Sequence, residues 1–392
     1  DVHMSRGLGD VYKRQIIAGY RTAVGKAKRG SLKYVRPDDM AVDVIQHLMA
    51  SVPNFDPNLV EDLIVGNAVP EAEQGMQIGR MISVRALPKT TAGVTVNRYC
   101  GSGVETIAMA TAKIKAGMAD CIIAGGTESM SLVPTVGWRT VLNYEVAKSH
   151  PDYYLGMGLT AEQVAKEFKV SREEQDEFAY NSHQKAMKAI DNGHFQSGIC
   201  PINVKEVFVK NGKRAEREFV FDTDEGVRRT TSMSGLARLR PAFSPYGTVT
   251  AGNASQTSDG AAFVLIVSER MVKELNLKPI GRMVSCTTVG VEPRIMGIGP
   301  VAAIPKALKL ANKSLNDIDL IELNEAFASQ SVAVIREAGL NPEKVNINGG
   351  AIALGHPLGM TGTKLTIQLL NDLKRTGGKY GMVTACIGGG QG

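Results

Sequence analysis

Two cysteines and one histidine stand in glycine-rich surroundings that suit nucleophilic chemistry. Cys100 lies in Asn97-Arg-Tyr-Cys-Gly-Ser-Gly103, where an extended run over residues 93–97 gives way to a helical pattern over residues 104–116. A cysteine at that junction sits at a helix N-terminus, whose free N–H groups and dipole favour thiolate over thiol. The glycines admit a substrate close to the backbone, as in a strand-to-helix nucleophile turn. Free cysteines usually pack in cores, so on this segment alone both readings stay open. His356 lies in Gly355-His-Pro-Leu-Gly-Met-Thr-Gly362, with a constrained backbone and little to pack against. Its imidazole titrates near neutrality and could deprotonate a thiol, although a lone histidine is more often structural.

Cys386 closes a strand-like run just before Gly388-Gly389-Gly390. A thiol there could shuttle a proton while glycine N–H groups, Gly388 among them, hold an oxyanion. A strand-end core cysteine is the alternative. Asn324 follows the run Leu320-Ile-Glu-Leu323 and could position a water or simply cap a helix. Cys121, Cys200 and Cys286 occupy ordinary strand or loop settings and receive no role. The stretch Ala124-Gly-Gly-Thr-Glu-Ser129 lacks both GxGxxG spacing and a Walker lysine, which excludes a nucleotide loop.

Strand-like runs alternate with helical patterns around these residues, the signature of an α/β fold. Residues 62–66 and 121–125 read as buried strands, and 76–86 as a helix. Near the end, residues 344–348 read as a strand, 349–362 as a glycine-rich turn, 364–375 as a helix and 382–386 as a strand. Strand, reactive turn, helix, strand, glycines thus occurs twice, implying two similar halves whose strand ends face one cleft. One half takes residues 15–130 plus 257–279, the other 280–392. Residues 131–256 are more polar, with a charged helix over 162–192, and are expected to form a loop domain covering the cleft. Residues 1–14 show no periodicity and are expected to be foreign to the fold.

The chain has 392 residues, 43% hydrophobic and 21% charged, ordinary values for a globular enzyme. A net charge of +6 without a basic run gives no case for nucleic acid. Five scattered cysteines form neither a metal motif nor a disulfide framework, pointing to a cytoplasmic, reducing setting. No apolar run reaches the ~18 residues of a membrane span.

Together the blocks at Cys100, Asn324-Glu-Ala-Phe-Ala328, residues 348–362 and Cys386-Ile-Gly-Gly-Gly-Gln-Gly392 resemble the thiolase family, in that family's order, from Ile16 to Gly392. The resemblance implies two αβαβα-type halves, a homodimer or homotetramer, coenzyme A as a substrate and no tightly bound cofactor or metal. It implies that His356 activates Cys100, that Cys386 is the second acid/base, and that Asn324 (through a water) and His356 form one oxyanion site. The N–H groups of Cys100 and Gly388 would form the other. By similarity, Met157, Arg228, Phe243, Ala251, Ser255, Ala326 and Phe327 would contact CoA or acyl-CoA thioesters. Gly156 departs from the pattern, since many biosynthetic members carry histidine there. The family also normally adds one more short strand after the position of Gly392. A short covering stretch over 132–156 favours degradative 3-ketoacyl-CoA thiolysis over acetoacetyl-CoA synthesis; a non-catalytic acyl-CoA binder is the remote alternative. A ketoacyl-synthase-type condensing enzyme or a cysteine protease would have no need of Cys386 in its glycine setting.

Overall fold

The computed structural model describes residues 14–392; residues 1–13 of the segment expected to be foreign lie outside the described residues. Ten strands occur among them: β1 (Arg14–Arg21), β2 (Gly25–Lys26), β3 (Asp62–Gly66), β4 (Ala92–Val96), β5 (Cys121–Ser129), β6 (Ile202–Lys210), β7 (Lys213–Phe221), β8 (Ser258–Ser268), β9 (Leu320–Leu323) and β10 (Gly381–Thr384). The main sheet has the order β1-β8-β5-β3-β4, with β2 also paired to β8. Strands β3, β4 and β5 run parallel, and β8 is antiparallel to both β5 and β1. Every residue of β3, β5 and β8 is buried, because helices cover both faces.

Alternation along the strands assigns the two faces. Ile64, Ile122, Val264 and Ile266 pack with Ile107 and Ile114 of the helix Ser102–Lys115 and with Met360 and Ile367 of the helix Leu358–Thr376. Leu63, Val65, Ile123 and Phe263 pack on the other side with Met40, Ile45 and Leu48 of the helix Pro37–Ala50. That helix starts with proline in its first turn, followed by Asp38 and Asp39, which suit the fixed φ and positive end of a helix N-terminus.

Glycines explain how two distant segments meet. A Cβ on Gly103 would lie 2.5 Å from the Thr363 backbone nitrogen, and one on Gly362 would lie 2.4 Å from that of Val104. The helices Ser102–Lys115 and Leu358–Thr376 therefore cross backbone to backbone near their N-terminal ends. Cys100 and His356 each sit just upstream of one of those ends.

In the second half, β9 and β10 pair in parallel from Leu320↔Gly381 to Thr384↔Leu323. The strand expected over 344–348 is reduced to a single bridge, Ile321↔Val345. Asn346 takes a left-handed φ of 47°, and its side chain replaces the ladder. Its Oδ1 accepts from the Leu323 N–H at 2.8 Å, and its Nδ2 donates to the Leu323 carbonyl at 2.9 Å. The turn expected over 349–362 contains the short helix Ala351–Leu354 and the start of Leu358–Thr376. Between residues 283–288 and β10 lies an elongated cavity of about 590 Å³, with Met283, Ile304, Leu308, Leu370 and Met382 in its walls. It is lined by none of Cys100, His356 and Cys386.

Within residues 131–256 the charged helix expected as one piece is two, Met157–Glu167 and Arg172–Asp191. Lys169 turns left-handed at φ 52°, and Ser171 with Glu174 forms a reciprocal capping box that starts the second helix. Strands β6 and β7 form a hairpin whose turn, Asn211-Gly212, has positive φ at both residues. Among the described residues no helix is long and apolar enough to cross a membrane.

Candidate active site

The chain reaches Cys100 through a forced bend. Tyr99 adopts φ 42°, a conformation that costs a non-glycine residue about 1–3 kcal/mol. The bend is held by Asn97 Oδ1, which accepts the Tyr99 N–H at 2.9 Å, and by Ser102, whose hydroxyl donates to the Tyr99 carbonyl at 2.7 Å. Cys100 ends up 6% exposed, packed with Ala68, Val69, Met130 and Leu358. The N–H groups of Gly388 and of Cys100 itself approach its sulfur. Cys386 is fully buried beside Met157, Ala326 and Phe327, and close enough to Cys100 that a Cys100 thiolate would oppose its ionisation. Two thiols 286 positions apart in sequence are thus brought near one another, with Ile387 packed against Gly101 where their segments meet.

His356 is fixed at both ends of its ring. Its backbone N–H donates to the Gln256 carbonyl and the Ser258 hydroxyl, each at 3.1 Å. Gly355 before it has φ 98°, and a Cβ there would lie 2.3 Å from Ser258 Oγ, so only glycine fits. Nδ1 lies 2.6 Å from Thr361 Oγ1, which spends its own proton on the Pro357 carbonyl at 2.8 Å. Thr361 can therefore only accept from the ring, which assigns the Nδ1–H tautomer and leaves Nε2 as a free base. Asn324 Nδ2 stands 3.2 Å from that Nε2. Asn324 Oδ1 is buried and has no protein partner, the condition in which a bound water or substrate oxygen is needed.

The expected preference for thiolate at Cys100 is overturned. Burial, the largest influence, pushes this thiol up to about 11 despite the Gly388 and Cys100 N–H groups, and the Glu128 carboxylate adds to the rise. Burial likewise lowers His356 to about 3, with Lys364 contributing, and drives Cys386 far above the ordinary thiol range. The three reactive groups are therefore neutral at rest: a thiol, an unprotonated imidazole and a second thiol. Desolvation outweighs the helix terminus because Cys100 has lost nearly all its water.

The residues carried over for CoA divide into two groups. Met157, Ala326 and Phe327 cluster with Cys386, and Phe243 stands edge-on to Phe327 with ring centres 6.1 Å apart. Ser255 joins them through its backbone, its N–H donating to the Ala326 carbonyl at 2.9 Å. Arg228 and Ala251 line a separate cavity of about 200 Å³ together with His183, Thr231 and Gln256. Thr361, Gln256, Ser258 and His183 escaped the sequence reading. Only Thr361 carried a local signal, lying inside the same glycine-rich block as His356. Among the described residues no group of three or more His, Cys, Asp or Glu could hold a metal ion.

Two neighbouring thiols, an oriented imidazole two residues before the Leu358 that packs on Cys100, and N–H groups at the Cys100 sulfur are groups that can form and discharge a covalent acyl adduct. Residues 15–270 match the thiolase N-terminal domain and residues 277–392 the thiolase C-terminal domain. The chain belongs to the thiolase family. Among its relatives, the 3-ketoacyl-CoA thiolase of Bacillus subtilis (strain 168) is 53% identical, over 96% of this chain and 97% of that protein. The peroxisomal 3-ketoacyl-CoA thiolase 1 of Arabidopsis thaliana is 44% identical, over 96% and 85%. The human mitochondrial 3-ketoacyl-CoA thiolase structure superposes with a TM-score of 0.86 at 39% identity, covering 97% of each chain.

Proposed function

We propose that this thiolase cleaves 3-ketoacyl-CoA with CoA, yielding acetyl-CoA and a shortened acyl-CoA. What supports the reading is an unprotonated His356 Nε2, two residues before the Leu358 that packs on Cys100, together with the buried thiols of Cys100 and Cys386. On substrate binding, Nε2 takes the Cys100 proton and the sulfur attacks the 3-keto carbon. The bond between C2 and C3 then breaks, leaving an acyl group on Cys100 and an acetyl-CoA enolate. Cys386, kept protonated by burial, gives its proton to the enolate carbon. CoA then attacks the acyl-enzyme, its thiol proton restoring Cys386, and Cys100 regains its own from His356. The N–H groups of Cys100 and Gly388 form one oxyanion site, and His356 with a water on Asn324 the other. Residues 131–256 close the cleft, and the exposed Arg228 takes a phosphate of CoA.

The short covering stretch over 132–156 and the 3-ketoacyl-CoA names of the relatives support cleavage over acetoacetyl-CoA synthesis. Five free cysteines suit a reducing, cytoplasmic setting. Among the described residues strand β4 pairs on one side only, with β3; a second copy covering that open edge makes a homo-oligomer. Intact-mass analysis with a 3-ketoacyl-CoA should find an acyl adduct on the native chain and none on Cys100→Ala. Cys386→Ser should still acylate but lose hydrogen exchange at the acetyl methyl. Thiolysis by Cys100→Ala at the native rate would refute the mechanism.

A further inference from the structure

The proposed reaction leaves the buried carboxylate of Glu128, near Cys100, without a task. Glu128, in β5, is 1% exposed. Its Oε2 accepts the N–H groups of Ala68 and Gly359, both at 2.8 Å. Its Oε1 accepts Gln74 Nε2 at 2.7 Å and Asn67 Nδ2 at 3.2 Å. These donors come from separate segments. Asn67 and Ala68 follow β3, and Ala68 packs on Cys100. Gln74 reaches back to the Val69 carbonyl at 2.8 Å and receives the Ser129 N–H at 2.6 Å. Gly359 lies in the first turn of Leu358–Thr376, three residues beyond His356, and its neighbour Leu358 also packs on Cys100.

We propose that Glu128 is a positioning residue: its ionised carboxylate locks the turn behind Cys100 to the helix start behind His356. Burial is what chiefly keeps the resting Cys100 protonated, and the charge of Glu128 adds to it. An ionised carboxylate only accepts, and each of these four neighbours donates. A protonated Glu128 would have to turn its O–H toward a donor, so one arm of the lock would open. Burial pushes its pKa up to about 7 against the pull of those donors. The lock is therefore complete above that pH and weakens below it. The groups around the carboxylate are neutral donors, and Cys100 is the titratable group that responds to its charge. The kinetic part of this inference rests on the thiolysis reading; the electrostatic part does not.

The test uses the full chain and follows carbamidomethylation of Cys100 by iodoacetamide against pH, mapped by peptide mass, beside thiolysis kinetics. In Glu128→Gln the alkylation midpoint should move down, because the carboxylate's share of the rise is lost while that of burial stays. Its kcat should fall about 30-fold or more through misplacement, with KM for CoA within about twofold. Glu128→Asp, which keeps the charge, should hold its alkylation midpoint near the native one. A Glu128→Gln chain with native kcat, or with an unshifted midpoint, overturns the proposal. Should that variant fail to fold, Gln74→Met removes one neutral donor and should move the acid limb of kcat upward; an unmoved limb is equally decisive against it. A native chain that alkylates as expected but performs no thiolysis supports the charge coupling and overturns the functional reading instead.

Discussion

Thr361→Val removes the one group that assigns the His356 tautomer. In the native site the ring donates from Nδ1 to Thr361 Oγ1 at 2.6 Å, and that hydroxyl donates onward to the Pro357 carbonyl at 2.8 Å. Valine keeps the shape and deletes both bonds. A buried N–H left without an acceptor costs about 1–3 kcal/mol, so the Nδ1–H form loses about that much. The other tautomer has an outlet, because Asn324 Oδ1 has no protein partner and an amide flip would bring it to an Nε2–H. The ring would then present a proton where the mechanism needs a base. One to three kcal/mol corresponds to about 5- to 150-fold in population, and kcat for thiolysis should fall within that range. KM for CoA should change little, since Thr361 is absent from the cavity lined by Arg228. Thr361→Ser, which retains the hydroxyl, should recover most of the rate. Nitrogen chemical shifts of a labelled histidine would read the tautomer directly. A Thr361→Val enzyme with kcat within twofold of native, or with its Nδ1–H form intact, would refute the assignment.

Asp224 receives two bonds from Arg21, at 2.7 and 2.8 Å, and the Val24 N–H at 2.8 Å, with both side chains buried. Asp224→Asn should cost about 3–5 kcal/mol, seen as a lower urea midpoint, because Arg21 stays buried and unpaired. Burial alone would raise Asp224, but Arg21 foremost, with Lys364 and Val24, holds its pKa below the usual carboxylate range. That contribution is present above a pH of about 4 and is lost as pH falls through the lowered value, so stability should fall less steeply with acid in the variant than in the native chain. Asn346→Ala removes the amide that replaces a strand ladder, and should lower stability by about 1–3 kcal/mol in the same assay. Arg228→Ala should raise KM for CoA about tenfold, the equivalent of about 1.4 kcal/mol, and leave kcat near native.

The elements carrying Cys100 were legible because their signals are local. The apolar run over 62–66 and the strand-to-helix switch at residues 97–102 appear at or within two residues of where they were read. Residues 320–323 form the strand their pattern predicts, since a short buried run bounded by turn residues has few other conformations open to it. Failures came where a side chain took over the backbone's work, or where a cap divided a periodic pattern. Asn346 bonds Leu323 through its amide, so a strand-like run forms only one bridge. Lys169 and the Ser171 cap split a long helical pattern in two.

Residue types, glycine spacing and motif order suggested Cys100, His356, Cys386 and Asn324 as a set through the resemblance to thiolases. The sequence carries no measure of how much water each one keeps. Only the packed chain made Cys100 a neutral thiol, because burial outweighs the helix terminus there. Likewise, the His356 tautomer follows from Thr361, and the charge beside Cys100 comes from Glu128. Protonation states depend on desolvation and on partners brought in from distant segments, and both exist only once the tertiary fold has formed.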